Sequence, residues 1–156
     1  MFAIRKSIMR ITIASDHAGY QLKEKLKEYL KNNGYKIDDF GTDSEISVDY
    51  PDYIYPAARS VAEGNQSLGI VFGGSGNGEA MAANKIKGIR CALCWSENSA
   101  RLAKEHNNAN MIAIGARMMS EIEVIKILET WLNAEFEGGR HIPRIEKVNQ
   151  LGEPGV

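Results

Sequence analysis

Eight consecutive residues, Phe72-Gly73-Gly74-Ser75-Gly76-Asn77-Gly78-Glu79, combine four glycines with a hydroxyl, an amide and a carboxylate. Glycine lets a backbone turn tightly and bring successive N–H groups against one ligand. The amphipathic run Ala80-Met81-Ala82-Ala83-Asn84-Lys85 follows, so a helix N-terminus adds positive potential just beyond the loop. Such a loop suits an anion or a developing oxyanion. Glu79, at its far end, brings a group that can accept and return a proton. A lone first-turn carboxylate most often just complements the helix dipole. In this company it points to proton transfer beside an anion hole.

The letters of the loop test its rival readings. A P-loop ends in Gly-Lys-Ser/Thr, and none is present. The hydrolase elbow G-x-S-x-G needs glycine at 77, where Asn77 stands. The dinucleotide fingerprint fits at Gly74 and Gly76, with Glu97 at a suitable distance, but its third glycine falls on Glu79. A carboxylate there would repel a pyrophosphate. A non-catalytic nucleotide-binding module is therefore the weaker reading.

The loop must be positioned by regular elements, and the chain alternates strand and helix patterns. Strands are expected at Met9–Ser15, Tyr35–Phe40, Leu68–Phe72, Ile89–Trp95 and Met111–Ile114. Leu22, Leu26, Tyr29 and Leu30 recur at helical spacing before Gly34; Ala57, Ala58, Val61 and Ala62 do so before Gly64, with Pro56 in that helix's first turn or kinking it. Another helix covers Ser99–His106. Ser120 and Glu123 form a capping box opening a helix whose Ile122, Ile125, Leu128 and Leu132 are expected to face the core. A tail after Gly138-Gly139 carries Ile145, Val148 and Leu151 at helical spacing. The alternation predicts an α/β fold with a five-stranded parallel sheet, helices on both faces and a helical tail. Ligands of such folds bind at the carboxyl ends of the strands. Asp16-His17-Ala18-Gly19, Asp49-Tyr50-Pro51, Gly73–Glu79, Ser96-Glu97 and Arg117 all follow strand ends, so one rim gathers them.

The frame is ordinary. A chain of 156 residues, 44% hydrophobic and 25% charged, forms one domain with a real core. Its net charge of −1 gives no reason to expect a nucleic-acid or membrane partner. No apolar run suits a membrane span or an export signal, and a cytoplasmic location is expected. Residues 1–8 read as a disordered extension ahead of a single domain over 9–156, with Met9 as an alternative start. Cys91 and Cys94 lie three apart in an expected strand, on opposite faces and about 10 Å apart, so they read as small buried side chains rather than a redox pair. No cluster with metal-ligand spacing is seen, and no metal or cofactor is expected.

The motifs Asp16-His17-Ala18-Gly19, Asp49-Tyr50-Pro51, Gly74-Ser75-Gly76-Asn77-Gly78-Glu79 with Ala82-Ala83-Asn84-Lys85, His106-Asn107-Asn108-Ala109-Asn110 and Gly138-Gly139-Arg140-His141 resemble, in order and spacing, the type B ribose-5-phosphate isomerases. The resemblance runs from about Met9 to Leu151. It implies a three-layer αβα Rossmann-like fold, an aldose–ketose isomerisation of ribose 5-phosphate and no cofactor. Many type B enzymes carry a cysteine base at the position of Gly73 and threonine at that of Ser75. This chain resembles the other branch, in which a glutamate at the position of Glu79 is the base.

Roles follow from the resemblance. Glu79 would shuttle the proton between C2 and C1, Ser75 would relay a proton between the oxygens, and Gly74, Gly76, Asn77 and Gly78 would supply the anion hole. Asp16 and His106 would open the sugar ring, Asn107 would bind sugar hydroxyls, and Tyr50 would pack along the sugar. Arg140 and Arg144, four apart, would hold the phosphate with Arg117 and His17, while His141 is not expected as a direct ligand. A homodimer is implied, with the His106 segment and Arg117 crossing into the neighbour's site; a tetramer of such dimers stays open. The wider family includes isomerases of allose and galactose 6-phosphates, and the sequence does not separate five- from six-carbon substrates.

Overall fold

The computed structural model describes residues 9–64 and 67–150. The expected extension over residues 1–8 and the tail position Leu151 lie outside that range. Five strands, β1 (Arg10–Ser15), β2 (Lys36–Asp39), β3 (Leu68–Gly73), β4 (Cys91–Leu93) and β5 (Met111–Gly115), form one all-parallel sheet in the order β2-β1-β3-β5-β4. Around it lie α1 (Tyr20–Asn32), α2 (Pro51–Glu63), α3 (Asn77–Ala83), α4 (Glu97–Asn107) and α5 (Glu121–Asn133). A 3-10 turn (Gly139–His141) leads into the tail helix α6 (Ile142–Gln150).

The three layers follow from the two-residue period of the strands. One sheet face presents Ile11, Ile13, Ile70, Phe72, Ile112 and Ile114 to α1, α4 and α5; the other presents Ala14, Val71, Met111 and Ala113 to α2 and α3. Helices on both faces cover the sheet, as the alternation predicted. Chain direction reverses between β1, which connects outward through α1 to β2, and β3, which connects the other way through α3 to β4. The crevice between their carboxyl ends is the topological switch point where ligands of open α/β sheets bind.

Several details depart from the sequence patterns. β4 is three residues long, because Ile89 and Arg90 precede its pairing with β5 and Trp95 stands in solvent beyond it. In α5 the buried stripe is Val124, Ile127, Leu128 and Trp131; Ile122 is 69% exposed, and Ile125 and Leu132 flank the core. The capping box shifts the first inward position two residues further along: Ser120 accepts from the N–H of Glu123, whose carboxylate accepts from the N–H of Ser120. Pro51 opens α2, so Pro56 falls within the helix, past the first turn. In α1 the inward positions are Lys23, Leu26 and Leu30. Lys23 is 0% exposed; its ammonium reaches Asp39 at the end of β2 (2.8 Å) and Glu24 (2.7 Å), which satisfy a charge that could not be buried alone. Among the described residues no helix is long and apolar enough to cross a membrane.

Candidate active site

The glycine loop leaves β3 at the switch point. Gly76 adopts φ 82°, a left-handed conformation that glycine takes without strain, and α3 begins at the next residue. Glu79 therefore lies in the first turn of α3, and it is only 4% exposed. Its carboxyl group rests over Gly73. A Cβ built on residue 73 would stand 2.1 Å from the Glu79 Cδ and 2.1 and 2.2 Å from its two oxygens, so only a residue without a side chain leaves that space. Burial raises the proton affinity of Glu79. Its own backbone N–H opposes this, while the charge of Asp16 and a hydrogen bond with it push the same way as burial. The result is a carboxyl that exchanges its proton closer to neutral pH than a free glutamate does.

Neighbouring strand ends surround this carboxyl. Asp16 follows β1; its N–H donates to the carbonyl of Phe72 (3.3 Å) and its Oδ1 accepts from the N–H of Gly19 (3.0 Å), which begins α1. His17 Nδ1 accepts from the N–H of Val48 (3.2 Å). In the neutral ring the proton then sits on Nε2, leaving a donor for a ligand, and the loop after β2 is tied to β1. The Tyr50 ring packs on the loop, its Cζ 2.7 Å from where a Cβ on Gly78 would stand. Ser75 Oγ accepts from the N–H of Asn77 (3.3 Å). The N–H groups of Gly74, Ser75, Gly76 and Gly78 have no acceptor among the described residues. They are free to face an anion.

Arg117 belongs to the same cluster. The N–H groups of Ala116 and Arg117 donate to the carbonyls of Gly73 (2.8 Å) and Gly74 (3.0 Å), and the guanidinium Nη1 lies 3.2 Å from a Cβ built on Gly74. β5 pairs directly with β3, so its carboxyl-end turn is fixed against the loop of its own chain. The expectation that Arg117 crosses from a neighbour is corrected accordingly.

His106 and Asn107 are elsewhere. α4 starts beyond the carboxyl end of β4 and runs back along the sheet, so its last turn lies at the amino ends of the strands. There a groove of about 1040 Å³ is lined by Lys85, Arg90, His106, Asn107, His141 and Arg144, among others. Arg140, exposed in the 3-10 turn, immediately precedes His141. Arg90 donates to the carbonyls of Asn107 (3.0 Å) and Asn108 (2.9 Å) and to Asn149 Oδ1 (3.3 Å), pinning the end of α4 to the tail helix. Sequence reasoning missed Arg90; its one signal was a charge inside an apolar segment. The chain thus carries two separated clusters, one at each end of the strands.

Sequence spacing also missed a set of potential metal ligands. His106, Glu137 and His141 bring one ligand atom each within 4.8 Å of one another, correcting the expectation that no such cluster would form. The two imidazoles are stacked, with centroids 4.4 Å apart and planes 17° apart. An ion in the plane of one ring then lies well off the plane of the other, so this arrangement is not a ready-made metal centre. Cys91 faces the core beneath α2 and α3, and Cys94 the core on the opposite side of the sheet. Burial raises both thiols, Cys94 to about 12, leaving them protonated and unreactive.

Comparison with known proteins bears on this arrangement. Residues 11–148 match the model of a family described as Ribose/Galactose Isomerase. Ribose-5-phosphate isomerase B of Mycobacterium leprae is 46% identical over 140 residues, covering 88% of this chain and 86% of that protein. The solved structure of ribose-5-phosphate isomerase B from Clostridium thermocellum superposes with a TM-score of 0.89 at 45% identity, over 91% of this chain and 96% of that one. The Mycoplasma genitalium ribose-5-phosphate isomerase B, solved with bound ribulose-5-phosphate, superposes with a TM-score of 0.88 at 41% identity, over 92% and 95% of the two chains.

Proposed function

The chain belongs to the ribose/galactose isomerase family, and from that premise we propose that it interconverts D-ribose 5-phosphate and D-ribulose 5-phosphate through an enediolate, with Glu79 as the base. The observation that carries this reading is the Glu79 carboxyl itself: buried, raised in proton affinity, seated over Gly73 and beside a loop of free amides. The bound ribulose-5-phosphate of the Mycoplasma genitalium relative supports a sugar phosphate as the substrate class.

The chemistry asks for little else. With the aldose open, Glu79 takes the proton from C2; the C–H electron pair becomes the C1=C2 bond and O1 gains the negative charge. N–H groups of the Gly74–Gly78 loop hold that oxygen, each well-placed donor lowering the barrier by about 3 kcal/mol. The Ser75 hydroxyl moves a proton between O2 and O1, and Glu79 returns its proton to C1. A base with raised proton affinity suits both halves of the cycle, since it must take and give the same proton.

Tyr50 flanks the sugar, and His17 and Arg117 face the phosphate. The His106 cluster lies at the opposite, amino ends of the strands, so a complete site needs a second copy of the chain. In this reading that copy supplies His106 to open the ring with Asp16, Asn107 for the sugar hydroxyls, and Arg140 and Arg144 to fork onto the phosphate. Five exposed apolar side chains, Ile46, Tyr50, Met81, Trp95 and Met118, stand on segments that follow the carboxyl ends of the strands and are available to be covered. A coupled assay on ribose, allose and galactose phosphates tests the substrate. Glu79→Gln tests the base: isomerisation should vanish while ribose 5-phosphate still binds, and substantial residual turnover would reassign the role.

A further inference from the structure

We infer that Glu137 and His141 are positioning residues for His106, holding its imidazole in the one orientation that opening the sugar ring requires. The inference rests on the reading of His106 as a ring-opening acid. His106 sits in the last turn of α4 with its side chain about a third exposed, where an imidazole would otherwise turn freely about both of its torsions. Three observations show what restrains it. The His141 ring stacks on its face, at 4.4 Å and 17°, and is itself only 7% exposed. Glu137 Oε2 lies 3.9 Å from His106 Nε2 and 3.5 Å from His141 Nε2, a carboxylate at ion-pair distance from the edges of both rings. The Glu137 N–H donates to the carbonyl of Glu105 (3.0 Å), the residue before His106, so the chain is strapped onto the same helical turn.

The backbone is shaped for this contact. Gly138 and Gly139 adopt φ of 67° and 53°, and this tight reversal returns His141 over His106. The reversal closes with the N–H of His141 on the carbonyl of Gly138 (3.1 Å). His141 Nε2 is buried and makes no hydrogen bond; it faces the Glu137 carboxylate at ion-pair distance only. A buried polar atom left in that state costs stability, and such sites call for an explanation beyond packing. Stacking against a reactive ring supplies one.

Ring opening is a balanced proton exchange. The anomeric O1–H gives its proton to an acceptor such as Asp16. The C1–O4 bond breaks with its electron pair passing to O4, O4 takes a proton from His106, and C1=O1 forms. The donor must reach O4 within hydrogen-bond distance and in the ring plane, so an imidazole free to rotate is a poor acid.

A partial reaction separates this role from a structural one. Ribulose 5-phosphate has its C5 oxygen esterified, so it cannot close a five-membered ring on its C2 carbonyl and it enters open. Exchange of its C1 hydrogen with D2O needs only Glu79 and the enediolate, without ring closure. Glu137→Gln and His141→Ala should lower kcat/KM from ribose 5-phosphate about tenfold, a fraction of what a general acid contributes, and from ribulose 5-phosphate by the same factor, because the ratio of the two is the equilibrium constant. The rate of C1 hydrogen exchange should stay within twofold. His141→Phe, which keeps a stacked ring, should recover part of the loss in isomerisation. Exchange that falls along with isomerisation, or no loss of isomerisation, would overturn the inference. His106→Ala is the reference: if exchange falls with isomerisation there, the ring-opening reading itself fails; if isomerisation alone falls there but not in Glu137→Gln and His141→Ala, only the positioning role fails.

Discussion

Adding a single methyl group at residue 73 tests the site most directly. In Gly73→Ala the new Cβ would stand 2.1 Å from the Cδ of Glu79 and no farther than 2.2 Å from either oxygen. Ordinary contact begins at 3.4 Å, so the carboxyl must retreat by about 1.3 Å, the difference between the two distances. Gly73 is not among the residues with positive φ, so the backbone accepts alanine and the effect is steric alone. A misplacement of about 1 Å costs a reacting group roughly 100-fold, equal to about 2.7 kcal/mol of barrier. A coupled isomerase assay should then show kcat/KM reduced by about that factor. Ribose 5-phosphate binding, set mainly by the arginines, should change little. The second arm is a double-mutant cycle: in a Glu79→Gly background the same alanine should cost almost nothing more, because nothing remains to displace. Near-normal turnover in Gly73→Ala, or additive losses in the cycle, would refute the account of Glu79 as the base.

Other expectations follow from the same geometry. Arg140→Ala with Arg144→Ala should chiefly raise KM for phosphorylated sugars, measured by steady-state kinetics, with kcat far less affected. The acid limb of kcat/KM should lie above the ordinary carboxylate range, and Asp16→Asn, which removes the adjoining charge, should move it to lower pH. The raised proton affinity of Glu79 also means that the folded chain binds a proton more tightly than the unfolded one. Stability linked to it is full below about pH 4 and is lost as pH rises through the folded value. Glu79→Gln should therefore raise Tm at pH 8 relative to the parent, with the difference vanishing near pH 4. Treatment with EDTA should leave activity unchanged, since the reaction as derived uses only side chains and amides; loss that zinc restores would instead point to the stacked histidines as an ion site.

The rim of the site was legible because strand patterns announce where their carboxyl ends lie: Asp16 and Arg117 each stand just past one, and Tyr50 and Glu79 on the segments that follow two others. The Gly76 turn and the Ser120 capping box were legible for the same local reason. What failed was whatever depends on contacts across space. The apolar spacing of α1 pointed to Leu22 and Tyr29 and passed over Lys23, whose burial is allowed by Glu24 together with Asp39, sixteen residues away. Arg117 was misassigned because its approach to Gly74 comes from β3–β5 pairing, which no local pattern encodes. Glu137 and His141 meet His106 only through the reversal at Gly138-Gly139, and the glycine pair read simply as a boundary. The fit of Glu79 over Gly73 was likewise invisible: six residues separate them, and the absence of a side chain leaves no mark of its own.

Both clusters sit on every chain, yet at opposite ends of the strands. Under the proposed pairing, damage to the glycine loop in one copy and damage to the histidine groove in another do not fall on the same catalytic unit. A mixed pair of two individually dead chains keeps one unit built wholly from sound parts, while its mate inherits both lesions. Defective alleles of the two kinds would thus complement each other, and alleles of one kind would not.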